Sequence, residues 1–342
     1  MVTSTMTSIM GGMSVWVFES GTIFFVVFGL LIGILFGFFG LGGSFFVTPA
    51  LLVLGHPAKA AVGSGLVFVF GTSIAAVVTH RGLGHIDYKL GLLLVLGMTT
   101  GIEVGKRLLF ALATVGVANF AISVMYVGLL TAVGLYTLHD VRTVGSEVAS
   151  DANTSLIRQI STFPAPPMMT FKGGISASAS VIIVLSFITG ILAGVLGVGG
   201  GFLVLPGLMY GLALPEAVAV GTDIFQIAIS SGYGAFLYAR ADAVHLTVVI
   251  PLLGGSIFGA YVGSHLTEYV DATKFKQYFA MMLLIDSVAV MSKIVSHTYG
   301  IVALHVLSLV LLFGTALIVS LVVVFLGTRN FLRHKHQPLG DS

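Results

Sequence analysis

Long apolar runs separated by short polar turns set the pattern of the chain. The first run, residues 24–54, contains the string Gly37-Phe-Phe-Gly-Leu-Gly-Gly-Ser-Phe-Phe-Val-Thr-Pro49. A second, residues 181–212, contains Gly194-Val-Leu-Gly-Val-Gly-Gly-Gly-Phe-Leu-Val-Leu-Pro206. The strings share Gly37/Gly194, Gly40/Gly197, Gly42/Gly199, Gly43/Gly200, Phe45/Phe202, Val47/Val204 and Pro49/Pro206. Glycine costs backbone entropy and proline lacks an amide donor, so each string predicts a helix break. Between them lie apolar runs at 62–79, 90–105 and 115–138, punctuated by the turns Gly55-His-Pro-Ala-Lys59 and His80-Arg-Gly-Leu-Gly-His-Ile-Asp-Tyr-Lys89. Residues 139–174 are polar and include Pro164-Ala-Pro-Pro167, which predicts a mobile linker between two halves.

The second half repeats the first. Pro57 aligns with Pro215, Gly63 with Gly221, Ser64 with Thr222, and Gly97, Gly101 and Gly105 with Gly255, Gly259 and Gly263. Glycines four apart form a smooth helix stripe that predicts close approach of a neighbouring helix. The last run, 302–326, has no counterpart and ends in a basic tail, Arg329-Asn-Phe-Leu-Arg-His-Lys-His336. The organisation expected is an N-terminal repeat at 1–138, a polar inter-repeat loop at 139–176, a C-terminal repeat at 177–298, and an extra span with its tail at 299–342.

The chain is 57% hydrophobic and 8% charged, which places it in a membrane rather than in the soluble class. Its length leaves room for about eight or nine spans of about 20 residues. Residues 1–20 lack Lys and Arg, so they have no positive n-region and the first span is expected to serve as its own insertion signal. The net charge of +2 and the lack of a basic face argue against nucleic acid as a partner. The absence of cysteine removes disulfides, thiol catalysis and thiolate metal sites.

Basic residues separate two topologies. If each broken run dips to mid-membrane and returns, the repeats are inverted; if each crosses once, they are parallel. With the tail on the cytoplasmic side, re-entrant runs gather Arg81, Lys89, Arg142, Arg158, Lys172, Lys274, Lys276, Arg329, Arg333 and Lys335 there. Only Lys59, Lys106, Arg107, Arg240 and Lys293 then lie opposite, whereas single crossings split the charges almost evenly. The expectation is an all-α polytopic membrane protein. It has two inverted internal repeats, each with a Gly-rich, re-entrant helix hairpin, plus an extra C-terminal span.

A break inside a bilayer is tolerated where it is buried in protein or lines a cavity, and paired breaks in two halves point to a transporter's binding site. The alternative is a pair of kinks that serve packing alone. Neither tip carries an ionisable residue, which favours recognition of an anion by backbone amides at a helix N-terminus. Gly42, Gly43 and Ser44 with Gly199, Gly200 and Gly201 are the expected cradle, with Ser64, Thr222 and Gln226 as further substrate contacts. Asp223 shares a helix face with Gln226, and an intramembrane carboxylate is costly. Asp223 and Asp286 are therefore candidates for proton coupling, against a capping role for Asp223. Glu103, Lys106 and Arg107 predict a local ion-pair cluster, while the ten histidines are scattered and give little support for a metal site.

These residues carry a family resemblance. Phe39-Gly-Leu-Gly-Gly-Ser-Phe with Pro49 and Ala61-Val-Gly-Ser-Gly65, together with Leu196-Gly-Val-Gly-Gly-Gly-Phe with Pro206 and Ala219-Val-Gly-Thr-Asp-Ile-Phe-Gln226, resemble the TauE/SafE sulfite-exporter-like permeases. Gly84-His-Ile-Asp-Tyr88 is similar to that family's Gly-x-Val-Asp-Trp turn. The resemblance covers residues 29–294 and implies transport of sulfite, sulfonates or other small sulfur-containing or organic anions without ATP hydrolysis. Two positions depart from the family pattern: Gly63-Ser-Gly65 stands where Gly-Thr-Ser is usual, and Asp223 stands where a neutral polar residue is commoner. The reading is thus a secondary permease working by alternating access, with no cofactor and no catalytic residues. Its partners are a small anion and the bilayer, and its ninth segment suits a homodimer or a monomer equally. A cation or metal permease is the alternative. A membrane-embedded enzyme is less well supported, since the chain lacks His-Glu-x-x-His and Gly-x-Ser-x-Gly motifs.

Overall fold

The computed structural model describes residues 21–35, 37–38, 44–82, 84–143, 167–172, 176–212, 214–266 and 272–335. The fold is helical. In chain order the described elements begin with α1 (Gly21–Leu35), α2 (Ser44–Val53), α3 (Ala58–Gly82), α4 (Tyr88–Thr114) and α5 (Ala118–Thr143). A two-stranded ribbon follows, β1 (Met168–Thr170) antiparallel to β2 (Ser176–Ser178). Then come α6 (Ala179–Leu196), α7 (Gly201–Pro206), α8 (Glu216–Ala239), α9 (Leu246–Leu266), α10 (Ala272–Tyr299) and α11 (Val302–Lys335). Among the described residues, six helices are long and apolar enough to cross a membrane, so the protein is a multi-pass membrane protein.

Close packing follows the glycine stripes. A Cβ on Gly97, Gly101 or Gly105 of α4 would lie 2.5, 2.2 or 2.4 Å from the backbone carbonyl oxygens of Ile183, Phe187 and Ile191 in α6. The registers climb together, so α4 and α6 run parallel. The second half repeats the contact: Gly255, Gly259 and Gly263 of α9 meet the backbone of Val26, Leu30 and Ile34 in α1 at 2.0, 2.1 and 2.2 Å by the same measure. Any side chain at these positions would separate the helices, which is the physical reason for glycine there. Each stripe therefore serves contact between the halves.

Helices α3 and α8 pack antiparallel, and two hydrogen bonds fix their course. The amide of His245, just past the end of α8, donates to Ser64 Oγ near the start of α3 at 3.0 Å. The amide of Asp87, just past the end of α3, donates to Thr222 Oγ1 near the start of α8 at 2.9 Å. Ser64 and Thr222 are partners in the sequence repeat, and so are Asp87 and His245. The extra span α11 lies against α10 and α1, where Phe313 stacks edge-on with Phe24 and Phe28 and Ser320 bonds the Leu31 carbonyl.

The end of the inter-repeat loop is built into the fold. Residues 144–166, including Arg158, lie outside the described residues. Beyond them the β ribbon is anchored by buried Phe171 and by the Lys172 amide, which donates to Asp87 Oδ2 at 2.6 Å. This end of the loop is held by a buried carboxylate, which corrects the expectation of a mobile linker there.

Candidate functional site

The second broken run resolves into α6, a short non-helical stretch and α7. Gly197 caps α6 in the left-handed region at φ 73°, and Gly200 precedes α7 at φ 83°. Side chains rarely adopt this backbone, so these two positions require glycine. The proline does not make the break. Pro206 sits at the end of α7, where its missing amide gives way to a wider π-type turn over Gly207–Gly211. Pro49 likewise sits within α2. The glycines alone interrupt the helix.

Outer ends of the broken run return to one place. Ile182 near the start of α6 shares a core cluster with Leu208, Leu212 and Leu214 beyond α7, and with Leu90 and Leu94 at the start of α4. The chain thus enters and leaves this segment at the same end of the bundle.

A helix that ends inside the protein leaves carbonyls to satisfy. Two buried tyrosines supply the donors: Tyr238 of α8 donates to the Gly194 carbonyl at 2.6 Å, and Tyr126 of α5 donates to the Leu196 carbonyl. Neither tyrosine was identified from the sequence, because a lone aromatic in an apolar run reads as core.

The break is enclosed by protein. A Cβ on Gly199 would meet Val69 of α3 and Ile227 of α8; one on Gly200 would meet Met98 of α4 and Thr189 of α6. On Gly201 it would lie 2.6 Å from Asp223 Oδ2. The first backbone bonds of α7 are those from the Leu203 and Val204 amides to the Gly200 carbonyl, so Gly201 and Phe202 hold the leading amides. Asp223 therefore places its carboxylate against the amide end of α7. Its other oxygen, Oδ1, accepts from Gln226 Nε2 at 3.0 Å, and Ser230 Oγ lies 3.2 Å from Gln226 Oε1. Asp223, Gln226 and Ser230 form a buried polar strip on α8 facing the break. Asp223 lies within α8, whose N-cap is Pro215, and its described bond is to a side chain. The capping role weighed from the sequence is not the one it plays.

Of the expected cradle, Gly201 meets this strip through Asp223, Gly199 lies against Val69 and Ile227 and Gly200 against Met98 and Thr189, while Gly42 and Gly43 lie outside the described residues. Ser44 is the first residue of α2. Thr48, one turn further along α2, reaches the second break: a Cβ on Gly197 would be 2.9 Å from its Oγ1. Ser64 and Thr222 sit at the ends of the α3–α8 contact, where each accepts a backbone amide from the opposite half. Asp286 is placed elsewhere. Its Oδ1 accepts from Thr315 of α11 at 2.8 Å, and its Oδ2 has no hydrogen-bond partner among the described residues. The two carboxyls share no described contact. Glu103 and Arg107 do form the expected ion pair, at 2.9 Å.

Among the described residues there is no group of three or more His, Asp or Glu side chains placed to hold a metal. The structure does bring together histidines that are scattered in the sequence, His56 with His245 and His80 with His85.

Comparison with known proteins gives a consistent picture. The family described as Sulfite exporter TauE/SafE matches residues 25–290. The probable membrane transporter protein YunE of Bacillus subtilis is 30% identical over 110 residues, covering 32% of this chain and 40% of that protein. A probable membrane transporter protein of Xylella fastidiosa is 28% identical over 106 residues, 31% of this chain and 41% of its own length. The chain spans less than half the length of these two relatives. YjnA of B. subtilis, also named a probable membrane transporter protein, is 23% identical over 262 residues, 76% of this chain and 96% of YjnA. No solved structure matches the chain.

Proposed function

The chain belongs to the Sulfite exporter TauE/SafE family, and from that premise we propose that it is a secondary permease for a small anion. The substrate class is sulfite, a sulfonate or another sulfur-containing or organic anion, moved by alternating access. One observation carries the reading: the enclosed break at 197–201 presents the leading amides of α7 to the polar strip of Asp223, Gln226 and Ser230. Amides at a helix N-terminus are already desolvated by the fold and concentrate about half a positive charge. They can take an anion's charge without an ionic side chain.

Asp223 gives the site its logic. Its carboxylate lies where an incoming anion would bind, so the two negative charges compete for the same amides. A proton on Asp223 removes the competitor and leaves Gln226 and Ser230 as hydrogen-bonding groups beside the substrate. Proton and anion then bind together, which supports uptake. Without such coupling, an inside-negative membrane potential favours export. The inverted relation of the halves is supported by the antiparallel course of α3 and α8 and by the return of α6–α7 to its own end of the bundle. The halves rock about the break, and the basic tail lies in the cytoplasm.

A carboxylate at the break would also suit a cation, and one experiment separates the readings. Purified protein in liposomes is given gradients of sulfite, sulfate, thiosulfate, short alkylsulfonates, short carboxylates and divalent cations. Flux of an anion, reduced by bulky substitution at Gly200, is the expected result. Flux of a divalent cation with none of the anions moving overturns it.

A further inference from the structure

The pairing of His56 with His245 has no role in the anion site. His56 lies in the turn between α2 and α3, and His245 in the turn between α8 and α9, so the two come from opposite halves of the chain. Their Nδ1 atoms are 3.2 Å apart, with ring centroids 5.2 Å apart and an interplanar angle of 68°. One ring donates and the other accepts, an arrangement that needs at least one neutral imidazole. The amide of His245 is bonded to Ser64 at the same place, which fixes the backbone carrying the second ring.

We propose that His56 and His245 form a proton-operated latch that ties the two halves together at one face of the membrane. When both rings are neutral the Nδ1–Nδ1 hydrogen bond closes the gap between the turns. A proton on each ring leaves two donors and no acceptor, with two positive charges in contact.

Among the described residues the opposite face holds no histidine pair shared between the halves. There the position equivalent to His245 is Asp87, whose carboxylate accepts the amides of Lys89, Leu90 and Lys172. The histidine pair at that face, His80 with His85 at 3.4 Å, is drawn from the first half alone, and His85 meets the second half through its backbone and Cβ against Gly221 of α8. Among the described residues, a histidine–histidine bond that joins one half to the other is found at one face only.

The charged groups near the latch do not neutralise it. Lys59 and Lys106 are directed at the Phe110 ring, 4.7 and 5.5 Å from its centroid, and Arg107 is paired with Glu103. Arg240 lies by Phe236 on the approach to the second turn, which also carries Asp242. On α10 and α11, Lys293 and His305 are bonded to each other. Each latch imidazole has the other as its polar side-chain partner. Burial, and after it the charge on His245, holds His56 below its ordinary value of 6.5. Protons consequently bind the opened latch more tightly than the closed one. The closed form is fully stable at neutral pH and loses stability as pH falls below 6.5.

The latch bears on the proposed permease cycle by selecting which face opens, and its test needs no substrate. The chain has no cysteine, so Val115→Cys and Leu246→Cys introduce unique labelling sites at this face, one in each half, both exposed. The distance between spin labels at these sites is measured in lipid nanodiscs from about pH 8 to about pH 5. The expected result is a longer-distance population that grows from a minority to the majority as pH falls. That response is lost in His56→Gln and in His245→Gln and is kept in the control His297→Gln. An unchanged distance distribution across the range, or the same acid response in both latch variants, overturns the proposal. A pH-insensitive distance leaves anion transport standing. A pH-sensitive distance in a protein that moves no anion keeps the latch and removes the permease reading.

Discussion

Asp223 and Gly201 are in contact: a Cβ on Gly201 would lie 2.6 Å from Asp223 Oδ2, so the carboxylate is set against the first residue of α7. A carboxyl group buried in an apolar helix is costly to ionise, and here it lies beside amides that can stabilise its charge. The contact brings the polar strip of α8 to the glycine break.

Asp223→Asn keeps the shape and a partner for Gln226 while removing the competing charge. Anion binding in this variant should be at least as tight as in the unaltered protein and should lose its pH dependence. Titration calorimetry at two pH values, with the anion identified by flux, provides the check. A pH dependence identical to that of the unaltered protein would remove Asp223 from proton coupling.

Adjacent glycines in the break should respond differently. At Gly200, φ is 83° and a Cβ would meet Met98 Cε at 2.3 Å, so Gly200→Ala should cost about 1–2 kcal/mol from the left-handed backbone alone. At Gly201 the neighbours are the ends of the Asp223 and Ile227 side chains, which can move. Gly201→Ala should fold with little loss, yet bind anion weakly. Thermal unfolding and binding measured side by side distinguish the two.

The glycine stripe gives a contrast within a single helix. A Cβ on Gly255 would lie 2.0 Å from the Val26 carbonyl oxygen, whereas one on Gly254 meets nothing within 4 Å. Gly254→Ala should be neutral or stabilising by up to about 1 kcal/mol through helix propensity. Gly255→Ala must part α9 from α1 and should lower the yield of folded protein in detergent. Equal stability of the two variants would mean that the stripe is not a contact surface.

Ser64→Ala leaves the partly buried amide of His245, and Thr222→Val the buried amide of Asp87, without its acceptor. Each should cost about 1–3 kcal/mol, and the double variant about the sum, since the two bonds lie at opposite ends of α3 and α8. Tyr126→Phe and Tyr238→Phe orphan carbonyls beside the break and should fall in the same range of about 1–3 kcal/mol. Chemical denaturation of the single variants tests all four.

Much of this was legible in the residue pattern because repeats and helix breaks are local features. The glycine strings located the break, and the spacing of Gly97, Gly101 and Gly105 announced a close helix contact. The spacing of Asp223 and Gln226 put them on one face, and they are hydrogen-bonded. What escaped was everything that depends on which helix lies across from which. Tyr126 and Tyr238 reach the end of α6 from distant positions in the chain, and His56 meets His245 only because α3 and α8 pack antiparallel. The roles of the prolines were misjudged for a related reason: at the second break the left-handed Gly197 and Gly200 already end the helix, so Pro206 falls at the close of the following one, and Pro49 lies within α2. The polar loop was read by composition, which could not reveal that Asp87 would hold the Lys172 amide.

The most direct test of the central claim is anion binding to the purified protein, read as a shift in thermal unfolding. Sulfite, sulfate, thiosulfate, short sulfonates and carboxylates are compared with divalent cations. An anion present at about 100 times its dissociation constant should add about 2.7 kcal/mol to stability. The account predicts stabilisation by one of these anions that is lost in Gly200→Leu and kept, without pH dependence, in Asp223→Asn. Stabilisation by a divalent cation with none of the anions acting would contradict it.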